Sequence, residues 1–120
     1  ILLSSGTSPW NAKALRGSMG SLLRLPVVIA ADAHQVGREL GDRGIRQAVA
    51  ATRGGEAPAN FDWEGPIALW VGSETGTLPD SGQGLEPLTI PMTGEVESLN
   101  VTVAASLLLF AAGREGSKAP

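Results

Sequence analysis

The sequence predicts an α/β domain with a mostly parallel sheet and helices on both faces. Three observations carry that expectation. Strand and helix signals alternate along the chain, the strand candidates Leu25 to Ala30 and Ile67 to Gly72 are apolar at nearly every position, and no repeat or heptad pattern appears. A strand apolar on both sides belongs in a parallel sheet covered on both faces, whereas a half-exposed antiparallel strand alternates.

In chain order, Ile1-Leu2-Leu3 reads as the last part of a buried strand, followed by turn formers from Ser4 to Pro9. Asn11 is a helix cap for a segment predicted to run to about Gly20, with Ala14, Leu15, Leu22 and Leu23 as its apolar positions. Gly17, Ser18 and Gly20 fit either close helix packing or close approach of a ligand. The run from Leu25 to Ala30, with Pro26 near its start, is the next strand, and Asp32 caps a helix whose Ala33, Val36 and Leu40 share one face. Gly41 or Gly44 ends that helix. Ile45 to Thr52 is a further strand, and Gly54-Gly55 is a turn, because no Lys-Ser or Lys-Thr helix start follows it. Phe61 and Trp63 anchor the following loop on the core. The strand from Ile67 ends in Gly72-Ser73-Glu74, where open α/β sheets place ligand sites, although a glycine after a strand is often only steric. Leu88 to Met92 is the last strand.

Residues 90 to 105, IPMTGEVESLNVTVAA, run from that strand end through a polar turn into a helix. Ser98 and Asn100 sit at or beside the helix start. They either cap a buried helix or help its free N–H groups hold a polar ligand. From Leu99 to Phe110 the helix is apolar on nearly every side, which calls for cover on more than one face and makes a second subunit the expected partner.

Composition narrows the class. A chain of 120 residues, 42% hydrophobic, buries one ordinary core, so a single domain or part of one is expected over residues 1–120. No cysteine is present, which removes thiol nucleophiles, disulfides and cysteine-bound zinc, and the one histidine, His34, lies off the apolar helix face. No metal site is therefore expected. The longest apolar run falls short of the roughly 20 residues a membrane crossing needs, no secretory signal pattern appears, and a cytoplasmic setting is the default. Net charge is −3, but residues 1–60 carry seven basic and four acidic side chains while residues 61–120 carry two and eight. An anionic partner belongs on the first half, unless its cations are solvated flanks. The chain opens on Ile1 in mid-strand and is expected to be a fragment whose natural beginning is missing.

Three separated stretches resemble one family, the SpoU or TrmH type of SPOUT RNA methyltransferases. KALRGSMGSLLRLPVV, residues 13 to 28, looks like the family's helix and strand with an R-x-S-x-G core. ALWVGSE, residues 68 to 74, resembles its strand followed by Gly-Ser-Glu, and IPMTGEVESLNVTVAA is similar to its most specific signature. The resemblance implies a knotted α/β domain with a trefoil at its C-terminal end and a homodimer. It also implies methyl transfer from S-adenosylmethionine to a ribose 2′-hydroxyl of tRNA or rRNA. The family's cofactor contacts fall on Gly72, Ile90 and Leu99, with Met92 and Ser98 lining the same pocket. Asn100, Glu74 and Ser98 fall in the active region, Asn100 being the better candidate for orienting substrate or cofactor.

Two departures stand out. The family's Asn and Arg motif, proposed to assist the 2′-hydroxyl, precedes Ile1, so no residue here takes that role and the chain alone is expected to be inactive. The family often continues Gly-Ser-Glu as Gly-x-Gly-Leu, whereas Thr75, Gly76 and Thr77 stand before Leu78 here. Alternatives are a relative that methylates a base or a protein, and a dimerising RNA-binding or assembly module that has lost catalysis. A generic nucleotide-binding domain lacks support because neither G-x-G-x-x-G nor a P-loop is present.

Overall fold

Strand β3, Arg46–Ala50, is the central strand of a three-stranded sheet, flanked on both edges. The structure, a computed structural model, describes residues 2–3, 6–72 and 84–116. They divide into two compact units, Ile1–Val36 and Gly37–Pro120. Every strand pairing among the described residues is parallel.

In the first unit, β1 (Leu2–Leu3) pairs with β2 (Ile29–Ala30). Helix α1, Ala12–Gly17, begins where Asn11 Oδ1 accepts from the Ala14 N–H at 2.8 Å. It stops short of Gly20 because Ser18 turns its hydroxyl back onto the Leu15 carbonyl and Met19 adopts a left-handed φ of 49°. A 3₁₀ turn over Ser21–Leu23 follows. Of the strand predicted from Leu25 to Ala30, only Ile29 and Ala30 are paired among the described residues. Leu25 still donates to the Ser21 carbonyl and Pro26 has no N–H to give, so pairing begins at Ile29, and Leu25, Val28 and Ile29 stay exposed. Helix α2, Ala33–Asp42, starts at Asp32, whose Oδ1 accepts from the His34 N–H at 2.8 Å, and it closes at Gly44 with φ of 70°.

In the second unit the sheet order is β4-β3-β5, with β4 at Ile67–Trp70 and β5 at Glu86–Leu88. A central strand is shielded on both edges, which is why Gln47, Ala48 and Val49 are buried. Gln47 is satisfied there: its Nε2 donates to the Gly37 carbonyl and its Oε1 accepts from the Trp70 indole N–H, both at 2.9 Å. Phe61 and Trp63 pack edge to face with centroids 4.8 Å apart, and the Trp63 indole donates to the Pro58 carbonyl. With Ala48, Leu88 and Leu108 they form the core.

At the N-terminal end of β3, Arg46 forks onto Glu86 at 3.0 and 2.7 Å, reaches Asp62 at 3.2 Å and lies over the Phe61 ring. The Glu86 hydrogen bonds, ahead of the charges of Glu86 and Asp62, raise the Arg46 pKa above its already alkaline value. Stability from a raised pKa is fully present below the unfolded value and is lost only as pH climbs through the folded one. Arg46 therefore adds no pH dependence near neutrality, and at about one-third exposure the cluster is only modestly stabilising.

The last strand lies earlier than the predicted Leu88 to Met92. Pro87 is tolerated in β5 because this is an edge strand, and its carbonyl accepts from the Glu56 N–H at 2.9 Å. Thr89 is then taken by the loop after β3: its N–H donates to the Glu56 carbonyl and its hydroxyl accepts from the Gly55 N–H. Ile90 and Met92 are thus released from the ladder. Helix α3, Val101–Gly116, is capped by Asn100, whose Oδ1 accepts from the N–H groups of Thr102 at 2.9 Å and Val103 at 3.4 Å. Leu108 anchors it in the core, while Val103, Leu107, Leu109 and Phe110 stay exposed. No helix among the described residues is long and apolar enough to cross a membrane.

Candidate functional site

Parallel pairing aligns the C-terminal ends of β3, β4 and β5, and a cavity of about 300 Å³ opens there against the first turns of α3. Each wall has a local cause. Ala50, Ala51 and Thr52 come from the end of β3, and Val71 and Gly72 follow β4. Leu88, Ile90 and Met92 come from β5 and the segment the Thr89 strap frees. Ser98 and Leu99 precede the α3 cap, and Val101, Ala104 and Leu108 form one face of the helix at the i, i+3, i+7 spacing.

The Thr89 strap depends on glycine. A Cβ on Gly55 would lie 2.6 Å from the backbone carbonyl carbon and oxygen of Pro87, and those atoms belong to a sheet strand. Ala51 adds a second clamp, donating to the Leu88 carbonyl at 2.8 Å.

The side chains of the described lining residues are apolar except for those of Thr52 and Ser98. Both residues are exposed. Among the described residues, the N–H groups of Ile90 and Leu99 make no backbone hydrogen bond. Apolar walls with a few unspent backbone donors are the usual composition of a small-molecule site. No ionisable side chain is among the described lining residues, whose part is to bind and orient a ligand.

Of the residues singled out from the sequence, Gly72, Ile90, Met92, Ser98 and Leu99 all line this cavity. Asn100 does not. Its carboxamide oxygen is spent on the α3 cap, while its Nδ2 donates to nothing among the described residues. Glu74, with the rest of Ser73 to Thr77, lies outside the described residues. His34 is exposed in α2, and no group of acidic or histidine side chains among the described residues could hold a metal ion. Sequence reasoning missed Ala50, Ala51 and Thr52. The signal was available, since ligands of parallel sheets gather at strand C-terminal ends and Thr52 is the first hydroxyl after β3.

The family model described as the SpoU rRNA Methylase family matches residues 1–110. The 23S rRNA (guanosine-2′-O-)-methyltransferase RlmB of Ralstonia nicotianae is 33% identical over 119 residues, covering 92% of this chain and 45% of that protein. The chain thus spans less than half the length of such relatives. The SpoU methyltransferase AviRb from Streptomyces viridochromogenes, solved in complex with AdoMet, superposes with a TM-score of 0.82 at 28% identity, over 99% of this chain and 50% of that one. An AdoMet-bound rRNA methyltransferase from Sinorhizobium meliloti gives 0.83 at 26% identity, over 95% and 44%. With a family model spanning nearly all of its length and its α/β elements superposing on solved members, this chain belongs to the SpoU rRNA methylase family.

Proposed function

We propose that the chain is the cofactor-binding part of an enzyme that moves a methyl group from S-adenosylmethionine to a ribose 2′-hydroxyl of rRNA or tRNA. The observation that carries this reading is the convergence of Gly72, Ile90, Met92, Ser98 and Leu99, drawn from two separated motifs, on one cavity. The Ralstonia relative, named for guanosine-2′-O methylation, supports the choice of ribose over base, and the AdoMet-bound neighbours support the choice of cofactor.

The lining suits an adenosine. Val71, Ile90 and Leu99 supply apolar walls, the N–H groups of Ile90 and Leu99 supply edge donors, and the hydroxyls of Thr52 and Ser98 suit ribose oxygens. When bound, S-adenosylmethionine supplies a methyl group made electrophilic by its sulfonium. The residues of this chain hold and orient, and positioning of that kind contributes the larger part of catalysis to a displacement at carbon. The Nδ2 of Asn100, which donates to nothing among the described residues, can donate to substrate or cofactor while its oxygen keeps the cap. Glu74 is the acidic candidate for the proton leaving the hydroxyl.

This reading carries with it the family's C-terminal knot, an RNA partner, a cytoplasmic setting and a homodimer, for which Leu107, Leu109 and Phe110 offer an uncovered apolar face. The alternative, an RNA-binding module without catalysis, leaves the cavity without a purpose. The test is transfer to ribosomal and transfer RNA followed by mass-spectrometric mapping. We predict methyl on ribose only when the family's upstream Asn and Arg motif is supplied. A methylated base, or transfer by these 120 residues alone, would contradict the reading in those respective parts.

A further inference from the structure

The first unit carries a feature that the cavity does not use. Residues 1–36 hold three cations, Lys13, Arg16 and Arg24, against one acid, and that acid, Asp32, is engaged as the α2 cap. All three cations are exposed, and none forms an ion pair among the described residues. The second unit is acidic, so the cations are local rather than part of a basic surface overall.

They also follow one another closely along the chain. Lys13 and Arg16 are i, i+3 neighbours on α1, which at six residues is only about 9 Å long. Arg24 closes the 3₁₀ turn that follows within one hydrogen-bonded run: Ser18 donates to Ala14, Met19 to Arg16, Ser21 to Ser18 and Arg24 to Ser21. At the entrance of the run stands Trp10, 49% exposed, its backbone held by the Ser8 hydroxyl at 3.2 Å. An exposed indole followed in the chain by cations that make no ion pair among the described residues matches the chemistry of single-stranded RNA, whose phosphates take the charges and whose unpaired bases stack on aromatic faces.

We propose that Trp10, Lys13, Arg16 and Arg24 form a docking surface for a single-stranded or looped stretch of RNA. The surface rests on the RNA reading given above and adds to it a place of contact within the first unit. A self-associating protein face would expose the same apolar side chains, but it would not select an unpaired cluster of one sign, since like charges meet when such a face closes on its own copy.

The test titrates a fluorescein-labelled hairpin RNA with an unpaired loop against the whole chain at several salt concentrations. The K13Q/R16Q/R24Q variant is compared with R43Q, an exposed cation of the second unit, and S-adenosylmethionine binding is measured on the same samples. Release of about three phosphate contacts should flatten the slope of log K against log salt by about 2 and weaken binding at least tenfold. R43Q should change the slope little. RNA should also quench tryptophan fluorescence, and W10A should abolish that quenching, because Trp63 is buried and Trp70 is half-buried and bonded to Gln47. RNA affinity and slope unchanged in the triple variant, with cofactor binding intact, would overturn the surface and leave the enzymatic reading standing. Equal losses for R43Q, or a change of oligomeric mass without a change in RNA affinity, would overturn it too. A wild-type chain that binds neither RNA nor cofactor would overturn both.

Discussion

Gly55 is the residue whose side chain, or lack of one, most constrains the cavity. Its missing Cβ allows the loop after β3 to lie on the Pro87 backbone, and its N–H holds the Thr89 hydroxyl at 2.9 Å. That contact fixes where β5 stops and hence where Ile90 leaves the sheet. Gly55→Ala should destabilise the fold by about 2–3 kcal/mol, since the overlap is with sheet backbone rather than a flexible side-chain tip. Urea unfolding checks this, and a midpoint unchanged from the wild type would show that the loop can lift away. Asn100 is the second such residue, because it has two demands on one carboxamide, a capping oxygen and an available Nδ2.

At the scale of elements, α3 depends on that cap, and the cavity depends on α3 through Val101, Ala104 and Leu108. Asn100→Ala should cost about 1 kcal/mol of stability, while Asn100→Asp should keep the cap and lose the Nδ2 donor. Denaturation of both variants, and methyl transfer measured with the family's upstream Asn and Arg motif supplied to wild type and variants alike, separate the roles. Loss of transfer in Asn100→Asp at wild-type stability is the predicted result, and full activity in that variant would leave Asn100 as a cap only. Helix starts were legible in the sequence because Asn11, Asp32 and a choice between Ser98 and Asn100 are local signals, and the structure selects Asn100 for the third. Strand extents were not. The apolar run from Leu25 to Ala30 carries no sign that, among the described residues, only Ile29 and Ala30 find a strand partner, and β5 lies earlier than expected because its register is set by the distant residues Ala48 to Ala50. The same non-local cause hid Ala50, Ala51 and Thr52 from the sequence reading, while the 90 to 105 motif pointed at its own residues directly.

At the scale of the molecule, a parallel sheet brings three strand ends and a helix start to one cavity, and the described lining is built to bind rather than to exchange protons. The central claim is that this cavity takes S-adenosylmethionine, and calorimetric titration of the chain with it is the most direct measurement. We predict saturable one-site binding that weakens about tenfold in Leu99→Ala, the loss of roughly 1.4 kcal/mol of apolar contact from one wall. No heat of binding at millimolar S-adenosylmethionine, or an affinity indifferent to Leu99→Ala, would contradict the account.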